Sequence, residues 1–392
     1  MRIALIVLTV LLLGAAVPLA SAQLFAPYRT QEDTVTISKA EYDLYQKYAE
    51  LNQIADYIDY YYYQETDFDT LLDGAKAGML AALDDPYTFY YTSEQFTDLW
   101  EDDEGQYAGI GIQISASYVT ELCTITRTFE GSPAEQAGLR KGDVLVQVED
   151  IDVTVATLQE AVDTMRGEVG ASVHVSVMRD NEILEFDVVR AVIHINRVSS
   201  KMLDDSVGYI LLYEFAGDCA QSFKEHLDAL LAQDMKVLIL DLRDNPGGWV
   251  QAAVEIADNF IDNDVVVYLE DRYGQQEFYY STQGSVDIPV VMLMNEYSAS
   301  SSEIIAGALQ DYGIATIVGV QSFGKGVVQS VIALDQTKEN TDGMQITTAQ
   351  YYTPNGFCPK DVGITPDVEI ALPEDQATQL FQFGDMTDAQ LA

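Results

Sequence analysis

The sequence predicts an α+β protein of several domains: a helical N-terminal segment, a β-rich module and a larger α/β core. Three changes of pattern predict this. Apolar residues recur at helical spacing up to about residue 83, at a spacing of two from residue 109, and in continuous runs that alternate with helical segments after residue 193. With 392 residues, 48% of them hydrophobic, the chain is long enough for two or three domains with cores of their own.

The charge of the chain excludes several classes of function. The 20 Lys and Arg residues stand against 63 Asp and Glu residues, which gives a net charge of −43. Nucleic acids and anionic membranes are bound through clustered basic residues, so neither is an expected partner. The 24 Tyr and 14 Phe residues supply too much apolar surface for a disordered chain. We therefore expect a globular, soluble and self-repelling protein.

Cysteine and histidine are too sparse for a metal or redox centre. The cysteines Cys123, Cys219 and Cys358 are too few for a disulfide framework and lack zinc-ligand spacing. The three histidines are scattered, and none lies in a motif that pairs it with a nucleophile. We expect no metal and no cofactor.

Residues 1–22 have the pattern of a secretory leader. Arg2 precedes an apolar run over residues 3–19, and the small-x-small tripeptide at residues 20–22 is typical of a cleavage site. Two alternatives follow: the leader is cleaved, or the apolar run is retained as a short membrane anchor. Both place residues 23–392 outside the cytoplasm, either secreted or held at the outer face of the membrane.

Two amphipathic helices are predicted in the N-terminal segment, residues 23–105. The first extends from Ser38 to about residue 64 and begins with a capping box, because Glu41 follows the serine by three positions. The second covers residues 71–83 and ends at an Asp-Asp-Pro sequence. Eight tyrosines lie among the apolar positions of residues 40–64, which indicates a homodimer contact through these helices.

A β-rich module follows over residues 106–192, and an acidic turn at residues 101–105 is its predicted boundary. One helix, residues 157–166, interrupts the strands. The period of two predicts strands over residues 109–115, 122–128, 144–148, 173–178 and 183–189.

The core is predicted over residues 193–375, and residues 376–392 form a C-terminal tail. Continuous apolar strands that alternate with helices indicate a sheet covered by helices on both faces. The strands are predicted at residues 237–242, 290–294 and 315–318, and the helices at 250–260 and 303–309.

Two strings at the start of the β module point to a peptide-binding domain. Residues 109–112 read Gly-Ile-Gly-Ile, which by itself is typical of a bulge or a tight turn. Residues 131–145 read GSPAEQAGLRKGDVL, and with this second string the module resembles a protease-associated PDZ domain. The resemblance implies that the loop of Gly109, Ile110, Gly111 and Ile112 binds the terminal carboxylate of a polypeptide tail, which adds to the sheet edge as a strand.

Two strand-to-helix turns in the core have the features of a nucleophile site. Residues 241–248 read DLRDNPGG, and the N–H groups of Gly247 and Gly248 suit an oxyanion, although an ordinary turn explains the string equally well. In residues 295–303, NEYSASSSE, Ser300 precedes a helix whose positive end favours a nucleophile. The alternative is that Ser300 only caps this helix, with Glu303 completing a capping box.

The candidate base is Lys325, within residues 322–329, SFGKGVVQ. A Gly-Lys-Gly sequence on its own is more typical of a surface loop. Lysine accepts a proton only if burial lowers its pKa, so we expect a pocket without acidic groups. Gln329 lies four residues further on, on the same face of a helix or a strand, and its amide oxygen is placed to orient the amine.

In this order, and behind a PDZ-like module, these motifs resemble the carboxyl-terminal processing proteases of serine peptidase family S41. Residues 83–87 and 363–367 share the resemblance, which covers nearly all of the chain after the leader. It implies a core of the crotonase/ClpP-like type. It also implies catalytic roles, namely nucleophile for Ser300, general base for Lys325, lysine-orienting residue for Gln329, and oxyanion donors in the backbone of Ser301 and of Gly247 or Gly248, with Gly247 the first choice.

Three positions depart from the family pattern. Ser301 stands where the family commonly has alanine, which leaves a backbone donor intact. Tyr297 replaces a usual glycine, so the approach to the nucleophile is expected to be narrower. Residues 352–358 lack a basic residue that the family often has there, which concerns substrate contacts and not the catalytic pair.

The sequence thus predicts an exported serine endopeptidase that cleaves proteins near their carboxyl ends, with the PDZ domain holding the substrate tail. Arg166, at the end of the PDZ helix, is a candidate for coupling tail binding to catalysis, or else interacts with the C-terminus of its own helix. The rival prediction is an inactive secreted scaffold that only binds polypeptide carboxyl termini. A histidine-dependent hydrolase has little support.

Overall fold

The computed structural model describes residues 36–117, 122–129, 131–282, 286–338 and 340–371. The chain divides into two compact units, Met1–Leu72 and Asp73–Ala392. The predicted leader and C-terminal tail lie outside the described residues. Within the described part, none of the helices is both long and apolar enough to cross a bilayer.

The first unit contains a long surface helix. Helix α1, Lys39–Tyr61, begins at Ser38 with the predicted capping box: the Ser38 N–H donates to Glu41 Oε2 at 2.7 Å, and the Glu41 N–H donates to Ser38 Oγ at 3.2 Å. None of its residues is buried, so its apolar and tyrosine side chains face solvent in this chain. The second predicted helix is α2, Phe68–Ala81, and it spans the division between the units.

Residues 82–105 differ from the sequence-based expectation. A short strand, β1, Phe89–Tyr91, is followed by helix α3, Ser93–Glu104. The predicted acidic turn at residues 101–105 is therefore mostly the last turn of a helix. The prediction was wrong because the clustered acids masked the apolar face that Phe96 and Trp100 give to this helix, where their rings meet edge to face at 6.0 Å.

The β module forms a five-stranded antiparallel path with two short helices. The strand order is β3-β4-β5-β7-β8, with β6 paired to β5, and a separate pair joins β2 to β9. Within the described residues β3 pairs with β4 alone, so its other edge is open to the groove beside helix α5. The elements are β2, Gln106–Gly109; β3, Ile112–Ser117; β4, Leu122–Thr128; α4, Pro133–Ala137; β5, Val144–Val148; β6, Ile151–Asp152; α5, Leu158–Met165; β7, Ser172–Arg179; β8, Glu182–Val189; and β9, Ala191–His194.

The core is built on a six-stranded sheet of order β10-β11-β12-β15-β16-β19, in which β11 to β19 are parallel. Its elements are β10, Val198–Met202; β11, Val207–Leu212; α6, Cys219–Leu231; β12, Val237–Asp241; α7, Val250–Ala257; β15, Val290–Met294; α8, Ser301–Asp311; β16, Ala315–Gly319; and β19, Val368–Glu369. Because β11, β12, β15 and β16 are neighbours in sequence order, right-handed crossovers place α6, α7 and α8 on one face of the sheet. The predicted cover by helices on both faces was wrong.

A second sheet completes the core and was not predicted. Its order is β1-β18-β13-β14, with β17 also paired to β18. Strand β1 comes from the N-terminal segment and pairs antiparallel with β18, so this segment contributes to the core directly. The remaining elements are β13, Val265–Asp271; β14, Gln276–Tyr280; β17, Val327–Ala333; and β18, Gly343–Tyr352.

Candidate active site

Ser300 lies at the turn from strand β15 into helix α8 and has a strained backbone. Its φ is 58° and its ψ is −115°, a conformation that is costly for a residue with a side chain and that clusters at functional sites. The residue is 7% exposed. The Glu303 N–H donates to the Ser300 carbonyl at 2.8 Å, and the Glu303 carboxylate accepts from the Ser300 N–H at 2.9 Å. Ser300 and Glu303 thus form the predicted capping box at the start of helix α8.

The Gly247-Gly248 turn packs against Ser300. A Cβ atom on Gly247, whose φ is 98°, would lie 2.6 Å from the Ser300 Cβ. The Gly247 N–H already donates to Asn245 Oδ1 at 2.9 Å, and Asn245 is fully buried. In the described part of the chain, the N–H groups of Gly248 and Ser301 donate to no acceptor. Among the described residues, Gly248 and Ser301 thus have free N–H groups, which favours Gly248 over Gly247 as the candidate oxyanion donor of this turn.

Several contacts fix this turn relative to the nucleophile. Ser301 Oγ donates to the Gly248 carbonyl at 2.9 Å, so the departure from alanine adds a link between helix α8 and the turn. Before the turn, buried Asp241 accepts hydrogen bonds from Arg243 Nε at 2.9 Å and from the Tyr209 hydroxyl at 2.7 Å. This pair was not predicted, although an Asp-x-Arg sequence at the end of a buried strand is a local signal for it.

The carboxylate of Glu303 accepts five hydrogen bonds at the centre of the site. It is fully buried. Oε1 accepts from Ser322 Oγ at 2.6 Å and from the Gly324 N–H at 2.7 Å, and Oε2 accepts from the Ser300 N–H at 2.9 Å, the Lys325 N–H at 3.0 Å and the Tyr351 hydroxyl at 2.9 Å. One carboxylate therefore holds the backbone of both candidate catalytic residues. The sequence assigned Glu303 only a capping role.

Lys325 is half-buried on the loop that precedes strand β17. Its Nζ lies 5.0 Å from the centroid of the Tyr87 ring, and within the described residues it makes no hydrogen bond with Ser300 Oγ. Burial lowers the pKa of this amine, while the carboxylates of Glu303 and Asp85 oppose that shift. The expected pocket without acids was wrong. Desolvation nevertheless remains the dominant effect on the pKa.

Gln329 makes no hydrogen bond, among the described residues, to the amine that it was expected to orient. A bulge interrupts the pairing of β17 between Val328 and Gln329, so the argument from a regular strand face does not apply. The Gln329 Nε2 donates to Thr347 Oγ1 at 3.1 Å on strand β18, and no hydrogen bond to Lys325 is present among the described residues.

The predicted tail-binding loop borders a groove of about 300 Å³ beside strand β3 and helix α5. Its apolar wall includes Ile110, Ile112 and Met165. Gly111 has a φ of 85°, and a Cβ there would lie 2.4 Å from the Ser132 Cβ. The glycine is thus required by packing inside the module rather than by the approach of a tail.

Gly109 and Arg166 connect this groove to the rest of the second unit. Gly109 ends strand β2 and pairs with Ala191. Arg166 extends toward helix α3, with Nη1 at 3.6 Å from Asp98 Oδ1 and its guanidinium 5.4 Å from the Tyr107 ring centroid. This contact connects the end of the PDZ helix to a helix outside the module.

The histidines and potential metal ligands form no second centre in the described part of the chain. His226 Nδ1 lies 2.7 Å from Ser200 Oγ, and His174 Nδ1 lies 2.9 Å from Asp187 Oδ1. Neither histidine is bonded to Ser300. No group of three His, Cys, Asp or Glu residues among those described is arranged to hold a metal ion.

Comparison with known proteins identifies the parts of the chain. The model of peptidase family S41 matches residues 206–370, a PDZ domain model matches residues 124–179, and the model of the activating protease CtpB N-terminal domain matches residues 11–95.

Relatives with known names match over most of their length. A carboxyl-terminal-processing protease of Picosynechococcus sp. is 37% identical over 75% of this chain and 71% of its own length. One from Synechocystis sp. is 35% identical over 79% of this chain and 72% of its own. The solved structure of a photosystem II D1 C-terminal processing protease superposes with a TM-score of 0.58 at 27% identity, over 87% of this chain and 91% of that one. The chain therefore belongs to peptidase family S41, among the carboxyl-terminal processing proteases that carry a PDZ domain.

Proposed function

We propose that the protein is an exported endopeptidase that cleaves polypeptides near their carboxyl ends with Ser300 as nucleophile and Lys325 as general base. The observation that carries this proposal is the shared carboxylate of Glu303. Its Oε2 accepts both the Ser300 and the Lys325 N–H, so the two backbones lie within two hydrogen-bond lengths of each other. A lysine side chain, with four rotatable bonds, spans that separation when its amine leaves the Tyr87 ring.

The reaction begins when the neutral amine of Lys325 accepts the hydroxyl proton of Ser300. Ser300 Oγ then bonds to the scissile carbonyl carbon, and the resulting oxyanion accepts hydrogen bonds from the N–H groups of Gly248 and Ser301. The ammonium of Lys325 returns the proton to the leaving amine as the C–N bond breaks. Water deprotonated by Lys325 hydrolyses the acyl-enzyme and regenerates the serine.

The PDZ domain captures the substrate tail at the groove beside β3. In the described part of the chain, the N–H groups of Ile110 and Gly111 donate to no acceptor, and such free donors suit a terminal carboxylate. The open edge of β3 accepts the tail as an added strand, and the apolar wall of the groove favours apolar side chains. Arg166 couples the groove to the core through its contact with Asp98.

Export and self-association complete the proposal. The leader pattern of residues 1–22 supports a location outside the cytoplasm. The unburied apolar face of helix α1 supports a homodimer, because a lone helix with exposed Leu44, Leu51 and Ile54 side chains gains from covering them.

The decisive test uses Ser300→Ala and Lys325→Ala in the full-length protein, with a reporter protein that ends in an unstructured apolar tail. Both changes are expected to abolish cleavage, while a fluorescent tail peptide still binds and the circular dichroism spectrum is unchanged. Lys338→Ala is the matched control, because its side chain is 68% exposed and pairs with Asp335 on a surface turn. Full turnover by either site variant would refute the Ser/Lys mechanism. Binding of the peptide without cleavage by the unmodified protein would support the rival inactive scaffold.

A further inference from the structure

The loop between helix α2 and strand β1 places an aromatic ring on the candidate general base. Tyr87 is half-buried, and its ring centroid is 5.0 Å from Lys325 Nζ, within the range of a cation–π contact. The Tyr87 hydroxyl makes no hydrogen bond among the described residues, so the contact depends on the ring alone.

The loop is held so that this ring has a defined position. Asp85 Oδ1 accepts from the Tyr87 N–H at 3.1 Å, and Asp85 Oδ2 accepts from Thr88 Oγ1 at 2.6 Å. The Tyr87 carbonyl accepts from Gln345 Nε2 at 3.1 Å, and Thr88 Oγ1 accepts from the Thr347 N–H at 3.1 Å. Gln345 and Thr347 belong to strand β18, so these bonds fasten the Tyr87 carbonyl and the following residue, Thr88, to that strand, while Asp85 holds the Tyr87 N–H within the loop. Strand β18 also pairs with the strand that follows the lysine loop.

We propose that Tyr87 is a positioning residue for Lys325: its ring is the wall on which the amine rests between turnovers, and it keeps water away from that amine. The proposal rests on the Ser/Lys mechanism above and adds a residue from outside the peptidase core. Asp85 and Thr88 serve it by fixing the ring to strand β18.

The ring is needed because the surrounding charges favour the ammonium form. The Glu303 carboxylate faces the amine from helix α8, and the Asp85 carboxylate faces it from the same loop as Tyr87. Asp361 acts on the Tyr87 side of the pocket, and the Tyr351 hydroxyl and Cys358 thiol lie at the neighbouring Gly326. The ring acts on the amine in two opposite ways: its face attracts the ammonium, and its bulk excludes the water that would otherwise solvate the ammonium. Because desolvation is the largest effect on the pKa of Lys325, the exclusion of water dominates, and the ring opposes these carboxylates and favours the neutral base.

The effect of removing the ring has a definite sign. Water entering the pocket stabilises the ammonium and raises the pKa of Lys325. Because the neutral amine is the active form, the acid limb of the pH profile of kcat/KM then moves to higher pH, while the plateau above it is retained. A shift of about one pH unit corresponds to an approximately tenfold loss of activity at a fixed pH on that limb.

The test measures the pH profile of kcat/KM for full-length Tyr87→Phe, Tyr87→Leu, Tyr87→Asn and Tyr87→Ala with the apolar-tailed reporter. Phe and Leu keep a dry wall and are expected to leave the acid limb within about half a pH unit of the original protein. Asn and Ala admit water and are expected to move it upward by about one unit or more. Phe89→Ala is the control, since it removes a 40% exposed ring from the adjacent strand β1.

The outcomes separate this proposal from the mechanism on which it rests. An unmoved acid limb in Tyr87→Asn or Tyr87→Ala, in whichever of these two variants folds and with or without a lower plateau, would overturn the role of Tyr87 and leave the Ser/Lys mechanism intact. Loss of activity in Tyr87→Phe would also overturn it, because it would assign the function to the hydroxyl. Failure of the mechanism itself is detected independently, by activity that survives in Lys325→Ala.

Discussion

Replacing Glu303 with glutamine tests whether one carboxylate organises the site. The change removes a buried negative charge and keeps the size of the side chain. Five donors meet this carboxylate, two at Oε1 and three at Oε2, and they are Ser322, Gly324, Ser300, Lys325 and Tyr351. A glutamine amide has one oxygen, so its NH₂ group must face either two or three of these donors.

The size of the destabilisation is worked out for the orientation of the glutamine amide that loses the fewest hydrogen bonds. With the amide oxygen in the Oε2 position, the NH₂ group faces Ser322 and the Gly324 N–H. The Ser322 hydroxyl can rotate and accept from the NH₂ group, whereas the Gly324 N–H is left buried without an acceptor at a cost of about 1–3 kcal/mol. The three retained hydrogen bonds lose their charge assistance, at about 0.5–1 kcal/mol each. The expected decrease in the free energy of unfolding is therefore about 2.5–6 kcal/mol, a large share of the roughly 5–15 kcal/mol typical of a folded protein.

The assay is urea unfolding followed by circular dichroism, with kcat/KM measured on the same samples. Glu296→Gln is the matched control, because it makes the same chemical change at an exposed position shortly before Ser300, and a change within about 0.5 kcal/mol is expected. A decrease below about 1 kcal/mol for Glu303→Gln would refute the accounting of its hydrogen bonds.

The pH profile of kcat/KM for Glu303→Gln tests a second effect of this carboxylate, on the pKa of Lys325, and the direction of that effect does not depend on the change in stability. The Glu303 carboxylate favours the ammonium form of Lys325 and so raises its pKa, against the effect of burial. Removing this charge lowers the pKa of Lys325 further. The acid limb of kcat/KM therefore moves to lower pH, the opposite direction from the effect of removing the Tyr87 ring.

Two further predictions concern the Gly-Gly turn and the first helix. Gly247→Ala is expected to lower kcat/KM by about 100-fold or more without weakening tail-peptide binding, because its Cβ would lie 2.6 Å from the Ser300 Cβ and displace the oxyanion donors. Gly274→Ala, at a φ of 76° with no atom within 4 Å, is the control for strain alone, and equal losses in the two variants would contradict the argument. In solution scattering, the secreted protein is expected to have the mass of a dimer and the Ile54→Asp variant that of a monomer, whereas a monomer mass for the unmodified protein would dismiss the dimer.

The local pattern of apolar and turn residues was sufficient to predict much of the fold. The strands Leu122–Thr128, Val144–Val148 and Val290–Met294 have the predicted bounds, since alternation or a continuous apolar run between turn residues is a property of the segment itself. The capping box at Ser38 was predicted for the same reason. Strands β14 and β18 were missed, because their Tyr-, Gln- and Thr-rich sequences become strands only by pairing with distant partners. Strands β13 and β17 were also missed, although both begin with a Val-rich run that is a local strand signal.

What the sequence determined by itself is the chemical inventory of the site: a serine before a helix, a Gly-Gly turn after a buried strand, and a lysine between two glycines. These are short-range features, so they can be identified from the sequence. Only the tertiary structure decided that Gly248 rather than Gly247 has the free N–H, that Glu303 holds five donors, and that Tyr87 covers the amine. Hydrogen bonds and desolvation depend on which atoms meet across the fold, and residues far apart in sequence carry no local sign of that meeting.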